Sequence, residues 1–308
     1  MVTQFNMLVE IWNKISRFLC QESFLSPLKV NNVWDPTNGP RLLSKNDEKL
    51  LRWKIRLSRL FYGRVTDEFW INNVHKLGRS TVIKRGDANT LTEALTMDYI
   101  ARHTSIPVPR VHDVLKLPDE RIWIMMDYIE SDSLDDVWLS LTEQERLNCM
   151  KQLHGYVNQL RALPPPDPDR VQAVNGAHLH DFRMHGKYGP YDSITAFHEA
   201  WGHSYIPTAY PEYKEDFDKI AGKSWRIIFA HGDLGPHNIL WRDGQIVAII
   251  DWENGGWLPE YWDYTRAWES TYGKKVGEDW WNMLQEFWTR YPDELEVERD
   301  LDNVLERY

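Results

Sequence analysis

Three oxygen-bearing side chains stand in the sequence in a pattern suited to phosphoryl transfer. Asp233 and Asn238 lie in one polar loop, and Asp251 follows at the end of an apolar run. Mg²⁺ prefers one or two carboxylates together with phosphate oxygens, and phosphoryl transfer uses a further carboxylate to orient the attacking hydroxyl and accept its proton. These residue types can therefore supply both metal ligands and a base.

The elements around these residues bring them together. Apolar runs on both sides of the polar loop predict strands, and Asp243-Gly244 is a strong signal for a two-residue hairpin turn. The strand after this turn ends at Asp251. Because the hairpin places the loop beside the end of the returning strand, we expect the carboxylate of Asp251 to approach Asp233 and Asn238.

The first half of the chain predicts a small β-sheet with one inserted helix. Short runs at 74–77 and 81–84 predict a tight hairpin, and two further strands are predicted at 110–117 and 121–128. Between the two pairs, apolar residues spaced four apart predict a helix that ends near His103. The second half reads as mainly helical.

Two motifs carry a family resemblance. The chain resembles the aminoglycoside phosphotransferase and choline kinase family, especially its fungal members, in two stretches: His231-Gly232-Asp233-Leu234-Gly235-Pro236-His237-Asn238-Ile239-Leu240 and Ile249-Ile250-Asp251-Trp252-Glu253. The resemblance covers roughly residues 70 to 270. It implies an α+β, bilobal protein-kinase-like fold, with a small β-sheet N-lobe that carries one inserted helix and a larger, mainly helical C-lobe. It also implies ATP and Mg²⁺ as cofactors and a hydroxyl of a small molecule as the phosphoryl acceptor.

The resemblance assigns roles in the loop. By position, Asp233 resembles the catalytic base, and Asn238 and Asp251 resemble the Mg²⁺ ligands. His231 resembles a structural residue of the catalytic loop, and Asp263 the buried carboxylate that braces it.

Upstream residues resemble the nucleotide site. Lys84 resembles the strand lysine that contacts the ATP α- and β-phosphates, and Glu93 its ion-pair partner on the inserted helix. Backbone groups of Asp127, Tyr128 and Ile129 are expected to hydrogen-bond the nucleotide base.

One departure concerns the loop over the phosphates. Protein kinases have a glycine-rich loop there, whereas this chain has the single glycine of Lys76-Leu77-Gly78-Arg79-Ser80. Relatives of the aminoglycoside type use a shorter hairpin, in which backbone N–H groups and a serine approach the phosphates. Gly78 and Ser80 are the candidates, and an ordinary turn is the alternative.

These assignments divide the chain into three segments. We predict an N-terminal helical extension over 1–69, a nucleotide-binding N-lobe over 70–129, and a catalytic and substrate-binding C-lobe over 130–308. Within the extension, apolar residues at helical spacing predict an amphipathic helix rather than a signal peptide: Leu8, Ile11, Trp12, Ile15, Phe18 and Leu19. In the C-lobe, Thr142 and Glu145 predict a capping box at the start of a long core helix.

Composition narrows the classes of partner. The formal net charge is −10, which argues against nonspecific binding to nucleic acid. No apolar run approaches the roughly 20 residues that span a bilayer. The two cysteines, Cys20 and Cys149, suggest neither a disulfide framework nor a zinc site, and a reducing, cytoplasmic setting is expected.

Three other functions compete with a small-molecule kinase. A protein kinase would insert a long activation segment where only 12 positions lead from Asp251 to Asp263. A binding-only pseudokinase conflicts with the intact set of candidate residues. A metal hydrolase is suggested by histidines and a carboxylate at close spacing, without a supporting metal-binding motif: His178, His180, Asp181 and His185.

The acceptor is the least determined part of the function. The segment after Asp251 carries aromatic rings and carboxylates, among them Glu253, Trp257 and Glu260. Such groups suit a cationic acceptor such as an amino alcohol or amino sugar. Tryptophan is abundant throughout, with 16 in all, so core packing is the competing explanation for these rings.

Overall fold

The computed structural model of the protein describes residues 34–62, 73–86, 90–181, 186–271 and 276–305. These residues form two compact units. The first contains the described chain up to Ala94 together with Pro109–Glu130, and the second contains Leu95–Val108 together with the described chain from Ser131 onwards. Among the described helices, none has the length and apolar character needed to cross a membrane. The predicted amphipathic helix over residues 8–19 lies outside the described residues.

Thirteen strands and ten helices are present in the described ranges. The strands are β1 (Arg41–Leu42), β2 (Val74–Lys76), β3 (Thr81–Arg85), β4 (Val111–Lys116), β5 (Ile122–Asp127), β6 (Asp132–Ser133), β7 (Gln172–Ala173), β8 (Leu179–Asp181), β9 (Gly186–Tyr188), β10 (Ile227–Ala230), β11 (Ile239–Arg242), β12 (Gln245–Ile249) and β13 (Gly256–Pro259). The helices are α1 (Lys45–Tyr62), α2 (Thr90–His103), α3 (Leu134–Val137), α4 (Glu143–Ala162), α5 (Ile194–Ala200), α6 (Ile206–Ala209), α7 (Lys214–Ile220), α8 (Trp262–Thr271), α9 (Gly277–Phe287) and α10 (Pro292–Leu305).

The first unit is built on a five-stranded sheet in the order β1-β4-β5-β3-β2. The predicted hairpin is confirmed, since β2 and β3 pair antiparallel with Val74 opposite Lys84. The predicted strands β4 and β5 and the inserted helix α2 are also present. Strand β1 was not expected: it pairs parallel with β4, which makes residues 41–42 part of the sheet.

Helix α1 packs on this sheet through one face. Its buried side chains Leu51 and Ile55 belong to a core cluster with residues in, or directly after, all five strands of the sheet: Leu43, Leu77, Ile83, Leu115, Leu117, Trp123 and Met125. The sheet and the helix therefore bury a continuous apolar surface, which is the main term that stabilises a unit of this size.

The second unit contains the sheets that carry the polar loop. One has the order β10-β13-β7 and the other β12-β11-β6. The predicted hairpin between β11 and β12 is confirmed, and both of its turn residues have positive φ, 51° at Asp243 and 76° at Gly244. This is the conformation that a two-residue turn between antiparallel strands requires.

Helices and aromatic rings fill the rest of the second unit. Helix α4 begins with the predicted capping box, in which Thr142 and Glu145 exchange hydrogen bonds with each other's backbone N–H. Four aromatic side chains pack together, with the centroids of contacting rings 5.3 to 6.3 Å apart: Tyr188, Phe197, Trp201 and Trp262. Trp201 and Trp262 thus serve core packing, which is the explanation that the abundance of tryptophan left open.

Candidate active site

The polar loop begins at His231, directly after the buried strand β10. The Nε2 of His231 lies 3.0 Å from the carbonyl of Ile250, and its Nδ1 accepts the N–H of Asp233 at 3.2 Å. One tautomer, with the proton on Nε2, satisfies both contacts. His231 therefore joins the start of the loop to the end of β12, in agreement with a structural role.

Gly232 is required by its backbone and by its surroundings. Its φ is +81°, and a Cβ at this position would lie 2.4 Å from the carbonyl oxygen of Asn254. Any side chain would therefore displace the segment after β12. Gly232 is therefore the residue type that this close approach requires.

Asp263, at the start of α8, binds the backbone at the beginning of the loop. Its two carboxylate oxygens accept the N–H groups of His231 at 3.2 Å and Gly232 at 2.9 Å. Burial raises the pKa of Asp263 to about 6, although both N–H bonds oppose the rise. At neutral pH the group is mainly ionised and can accept both bonds, which is the bracing geometry that the resemblance implied.

Asp233 lies in a strongly polar environment. Its Oδ2 is 3.3 Å from Nε2 of His237, and its Oδ1 is 3.8 Å from a terminal nitrogen of Arg266. Burial raises the pKa of Asp233, but the hydrogen bond from His237 and the positive charge of Arg266 outweigh it and hold the pKa well below its usual range. The carboxylate is therefore ionised throughout the neutral range and can accept a hydrogen bond from a hydroxyl.

Arg266 and His237 are site residues that the sequence analysis did not single out. Arg266 is fully buried on α8, where its Nε donates to the carbonyl of Gly232 at 3.2 Å and its guanidinium pairs with Glu269. His237 lies inside the recognised motif, four residues after Asp233, and that position was the available signal. Arg266 had no comparable local signal.

Asn238 presents an oriented oxygen. Its side-chain nitrogen donates to the backbone carbonyl of Asp233 at 2.8 Å and to that residue's Oδ2 at 3.2 Å. This network assigns the orientation of the amide. The remaining atom, Oδ1, is buried and has no hydrogen-bond partner among the described residues. A buried acceptor without a partner is costly, and a bound cation would satisfy it.

Asp251 is held close to Asn238 by the backbone. The N–H of Ile250 donates to the carbonyl of Asn238 at 2.9 Å, and Asp251 follows in the left-handed conformation with φ 63°. Asp251 and Glu253 each offer a carboxylate oxygen within 4.8 Å of the other. Asp251 supplies a carboxylate and Asn238 an amide oxygen, both hard donors of the kind that Mg²⁺ takes, so the residues present fit this metal.

In the first unit, the structure brings Lys84 and Glu93 together. Lys84 Nζ on β3 lies 2.9 Å from a carboxylate oxygen of Glu93 in the first turn of α2, and both side chains are almost fully buried. A buried pair of this kind fixes the position of the ammonium group.

The backbone after β5 is only partly available to a nucleotide. The N–H of Asp127 donates to the carbonyl of Arg110 at 3.1 Å, and that of Tyr128 donates to Ser80 at 2.8 Å. The N–H of Ile129 has no partner within the described chain. Of the three backbone N–H groups, that of Ile129 can therefore donate to a nucleotide base. Asp127 and Tyr128 would contact the base through their carbonyl oxygens.

Two predicted acceptor contacts do not agree with the structure. The side chain of Trp257 is buried and packs edge-on against Phe229 and near Tyr99. Glu260 is engaged by two arginines, since its carboxylate lies 3.0 Å from Arg161 and 2.9 Å from Arg226. Both residues stabilise the fold, and only Glu253 remains a candidate from this set.

The histidines suggested for a metal hydrolase are engaged elsewhere. His178 contacts the carbonyl of Gly189, and Nδ1 of His180 lies 3.2 Å from the amide oxygen of Asn254. Asp181 lies 3.9 Å from Arg266, and His185 is outside the described residues. The described members of this set, His178, His180 and Asp181, thus contact other groups of the protein.

Solved structures of aminoglycoside kinases resemble this chain. The GDP complex of wild-type aminoglycoside 2'-phosphotransferase-IIIa aligns with a TM-score of 0.53 at 14% identity and covers 83% of this chain and 88% of its own. A thermostable mutant of aminoglycoside phosphotransferase APH(4)-Ia in its apo form gives 0.55 at 16% identity, covering 82% and 89%. The streptomycin-ATP-APH(2")-IIa ternary complex gives 0.53 at 12% identity, covering 86% and 92%. At these identities the likeness shows the protein-kinase-like fold, as predicted.

Sequence comparisons define the family. A search of curated proteins finds no match to this chain. The family model described as "Phosphotransferase enzyme family" matches residues 74–298, which include every predicted site residue. That match spans far more than half of the chain and includes residues of both units, so the protein belongs to the phosphotransferase enzyme family.

Proposed function

We propose that this protein is a Mg²⁺- and ATP-dependent kinase that transfers the γ-phosphoryl group of ATP to a hydroxyl of a small molecule. One observation carries the proposal: Asn238 binds the ionised Asp233 through its amide nitrogen and leaves a buried oxygen for a cation. A base and a metal ligand are thereby fixed to each other. Phosphoryl transfer depends mainly on such positioning and on charge neutralisation.

The roles in the second unit follow from this arrangement. Asn238 and Asp251 would hold Mg²⁺, which neutralises phosphate charge when bound. Asp233 orients the acceptor hydroxyl and receives its proton. Because its pKa is low, Asp233 is a weak base, and proton transfer is expected late in a loose transition state.

The roles in the first unit concern the nucleotide. Lys84, oriented by Glu93, contacts the phosphates, while carbonyl groups near Asp127 and the N–H of Ile129 contact the base. Ser80 is exposed in the turn after β2 and remains a candidate for phosphate contact. One structural neighbour was solved with streptomycin and ATP, which supports ATP as the donor.

A cationic acceptor is our first choice of substrate class. Glu253 places a carboxylate beside Asp251, and a protonated amine on the acceptor would pair with it. Two structural neighbours were solved with streptomycin and with hygromycin B, and this supports a hydroxylated, amine-bearing acceptor. We further propose a cytoplasmic location, where ATP and Mg²⁺ are available.

The test is a screen of ATP consumption. Purified protein with Mg·ATP is offered amino alcohols, aminoglycosides, neutral sugars, secondary-metabolite alcohols and casein-like proteins. Turnover of amine-bearing alcohols supports the proposal, and turnover confined to neutral alcohols keeps the kinase but discards the cationic site. Labelling of proteins alone would favour a protein kinase. A thermal shift with Mg·ATP and no turnover of any acceptor would favour a pseudokinase.

A further inference from the structure

Helix α1 reaches the turn between β2 and β3, although it lies before the residues that the family model matches. Ser58 in this helix is fully buried, and its Oγ accepts the N–H of Gly78 at 3.0 Å. Gly78 lies in the turn whose residues Gly78 and Ser80 are the candidates for phosphate contact. A side chain outside the family domain therefore contacts the backbone of that turn.

The packing of α1 places this hydroxyl with little freedom. Ile55 lies one helical turn before Ser58, so both side chains project from the same face of the helix. Ile55 and Leu77 belong to one core cluster, and neither is more than 1% exposed. Because Leu77 directly precedes Gly78, apolar packing and the hydrogen bond act on adjacent residues.

The turn is also fixed from its other side. The N–H of Leu77 donates to the carbonyl of Thr81 at 2.8 Å, and the carbonyl of Ser80 accepts the N–H of Tyr128 at 2.8 Å. Gly78 has a φ of +96°, which side-chain-bearing residues rarely adopt. A turn with one glycine and three such bonds has a defined shape, unlike a glycine-rich loop that closes on its ligand.

We propose that Ser58 is a positioning residue for nucleotide binding, which holds the β2–β3 turn in the conformation that receives the phosphates. This inference rests on the proposed function. The hydroxyl acts through Gly78 and does not itself contact ATP. The short hairpin thus uses a bond from α1 where protein kinases rely on several glycines.

The test compares Ser58→Ala with Ser58→Thr. Alanine favours helix and fits the space, so the variant is expected to fold. The loss of one hydrogen bond to a buried N–H corresponds to roughly a three- to tenfold change in an equilibrium constant. We expect the affinity for Mg·AMP-PNP, measured by calorimetry, to fall by about this factor, and amide exchange of the turn peptide to become faster. Ser58→Thr keeps the hydroxyl and is expected to retain both properties.

Ser44→Ala is the matched control. Ser44 caps the same helix by accepting the N–H of Asp47 at 3.2 Å, so its loss destabilises α1 without touching the turn. Wild-type affinity and exchange in Ser58→Ala would overturn the inference, and so would an equal loss of affinity in Ser44→Ala. If the wild type binds no nucleotide, the proposed function fails, while the exchange measurement still decides whether Ser58 holds the turn.

Discussion

Neighbouring groups shift the pKa values of Asp233 in the loop and Asp263 on α8 in opposite directions. Burial raises the pKa of Asp263 to about 6, whereas His237 and Arg266 more than offset the same effect at Asp233 and lower its pKa. Asp233 therefore stays charged and can accept a hydrogen bond from a hydroxyl, whereas Asp263 is buried and binds the backbone of the loop. A pair of acids whose environments separate their pKa values is typical of catalytic sites.

Replacement of Asp233 by asparagine should lower turnover without loss of nucleotide binding. The amide keeps the size of the side chain but cannot accept the proton, and a positioned base is worth about 10²- to 10⁴-fold. Steady-state kinetics with the acceptor found in the screen, together with calorimetry of Mg·AMP-PNP, measure both properties. Asp218→Asn is the control, since this exposed carboxylate pairs with Lys214 on the same helix. Turnover equal to wild type would remove Asp233 from the mechanism.

Asp251 and Asn238 should differ in their effect on metal-dependent binding. Asp251→Ala removes a charged ligand and is expected to abolish the Mg²⁺-dependent part of nucleotide affinity. Asn238→Ala removes a neutral ligand and should weaken affinity less. Titrations with and without Mg²⁺ separate the two effects. Asp243→Asn, in the exposed turn between β11 and β12, should bind as wild type, and wild-type affinity in Asp251→Ala would contradict the metal assignment.

At the scale of elements, the polar loop is positioned by two neighbours, the β11–β12 hairpin and helix α8. The hairpin delivers Asn238 and Asp251, and α8 contributes Asp263 and Arg266. Gly232 allows the segment after β12 to lie directly against the loop. The positions of the proposed base and metal ligands therefore depend on close backbone contact at one glycine.

Gly232→Ala should be strongly destabilising, while Gly244→Ala serves as its control. Both glycines have positive φ, but a Cβ at Gly232 would lie 2.4 Å from a backbone oxygen, whereas nothing lies within 4 Å of one at Gly244. We expect a cost of about 1 kcal/mol from backbone strain at Gly244 and roughly 2 to 4 kcal/mol at Gly232, where overpacking adds to it. Chemical denaturation measures both. Equal costs would show that the close approach is not required.

At the scale of the whole molecule, negative charge is in excess and part of it is buried. Helix α10 has four buried acids: Glu294, Glu298, Asp300 and Asp302. Burial, together with the charges of Asp216 and Glu296, raises the pKa of Asp300 to about 7. Ionisation of Asp300 near neutral pH therefore lowers the free energy of unfolding.

The stability of the protein should fall as pH rises towards 7 because of Asp300. Its ordinary pKa is 3.8, so between that value and about 7 the folded state holds a proton that the unfolded chain has lost. Stability is therefore lost with rising pH in this window, and the loss is complete above about pH 7. Asp300→Asn should be more stable than wild type at pH 8 and equal to it near pH 4. Thermal melts across this range test the expectation, and Glu286→Gln is the control, because this exposed acid on α9 is not among the charges that shift the pKa of Asp300. A lower melting temperature of Asp300→Asn at pH 8 would contradict it.

Local patterns in the sequence were sufficient for much of the architecture. The hairpin at Asp243-Gly244, the capping box of α4 and the inserted helix α2 depend on residues a few positions apart, so periodicity and turn chemistry predict them. The motif from His231 to Asn238 also lies within one loop. The family and the candidate roles of Asp233 and Asn238 could be inferred for this reason.

Contacts between distant segments were decided only by tertiary packing. Arg266 approaches Asp233 from 33 residues away, and the bond from Ser58 to Gly78 joins a helix to a turn. Trp257 and Glu260 belong to the core and to ion pairs because β13 pairs with β10, and no local pattern distinguishes such residues from a binding surface. Burial and charge pairing arise from the packing of whole elements against each other, whereas the strands, turns and caps follow from hydrogen bonds within a few residues.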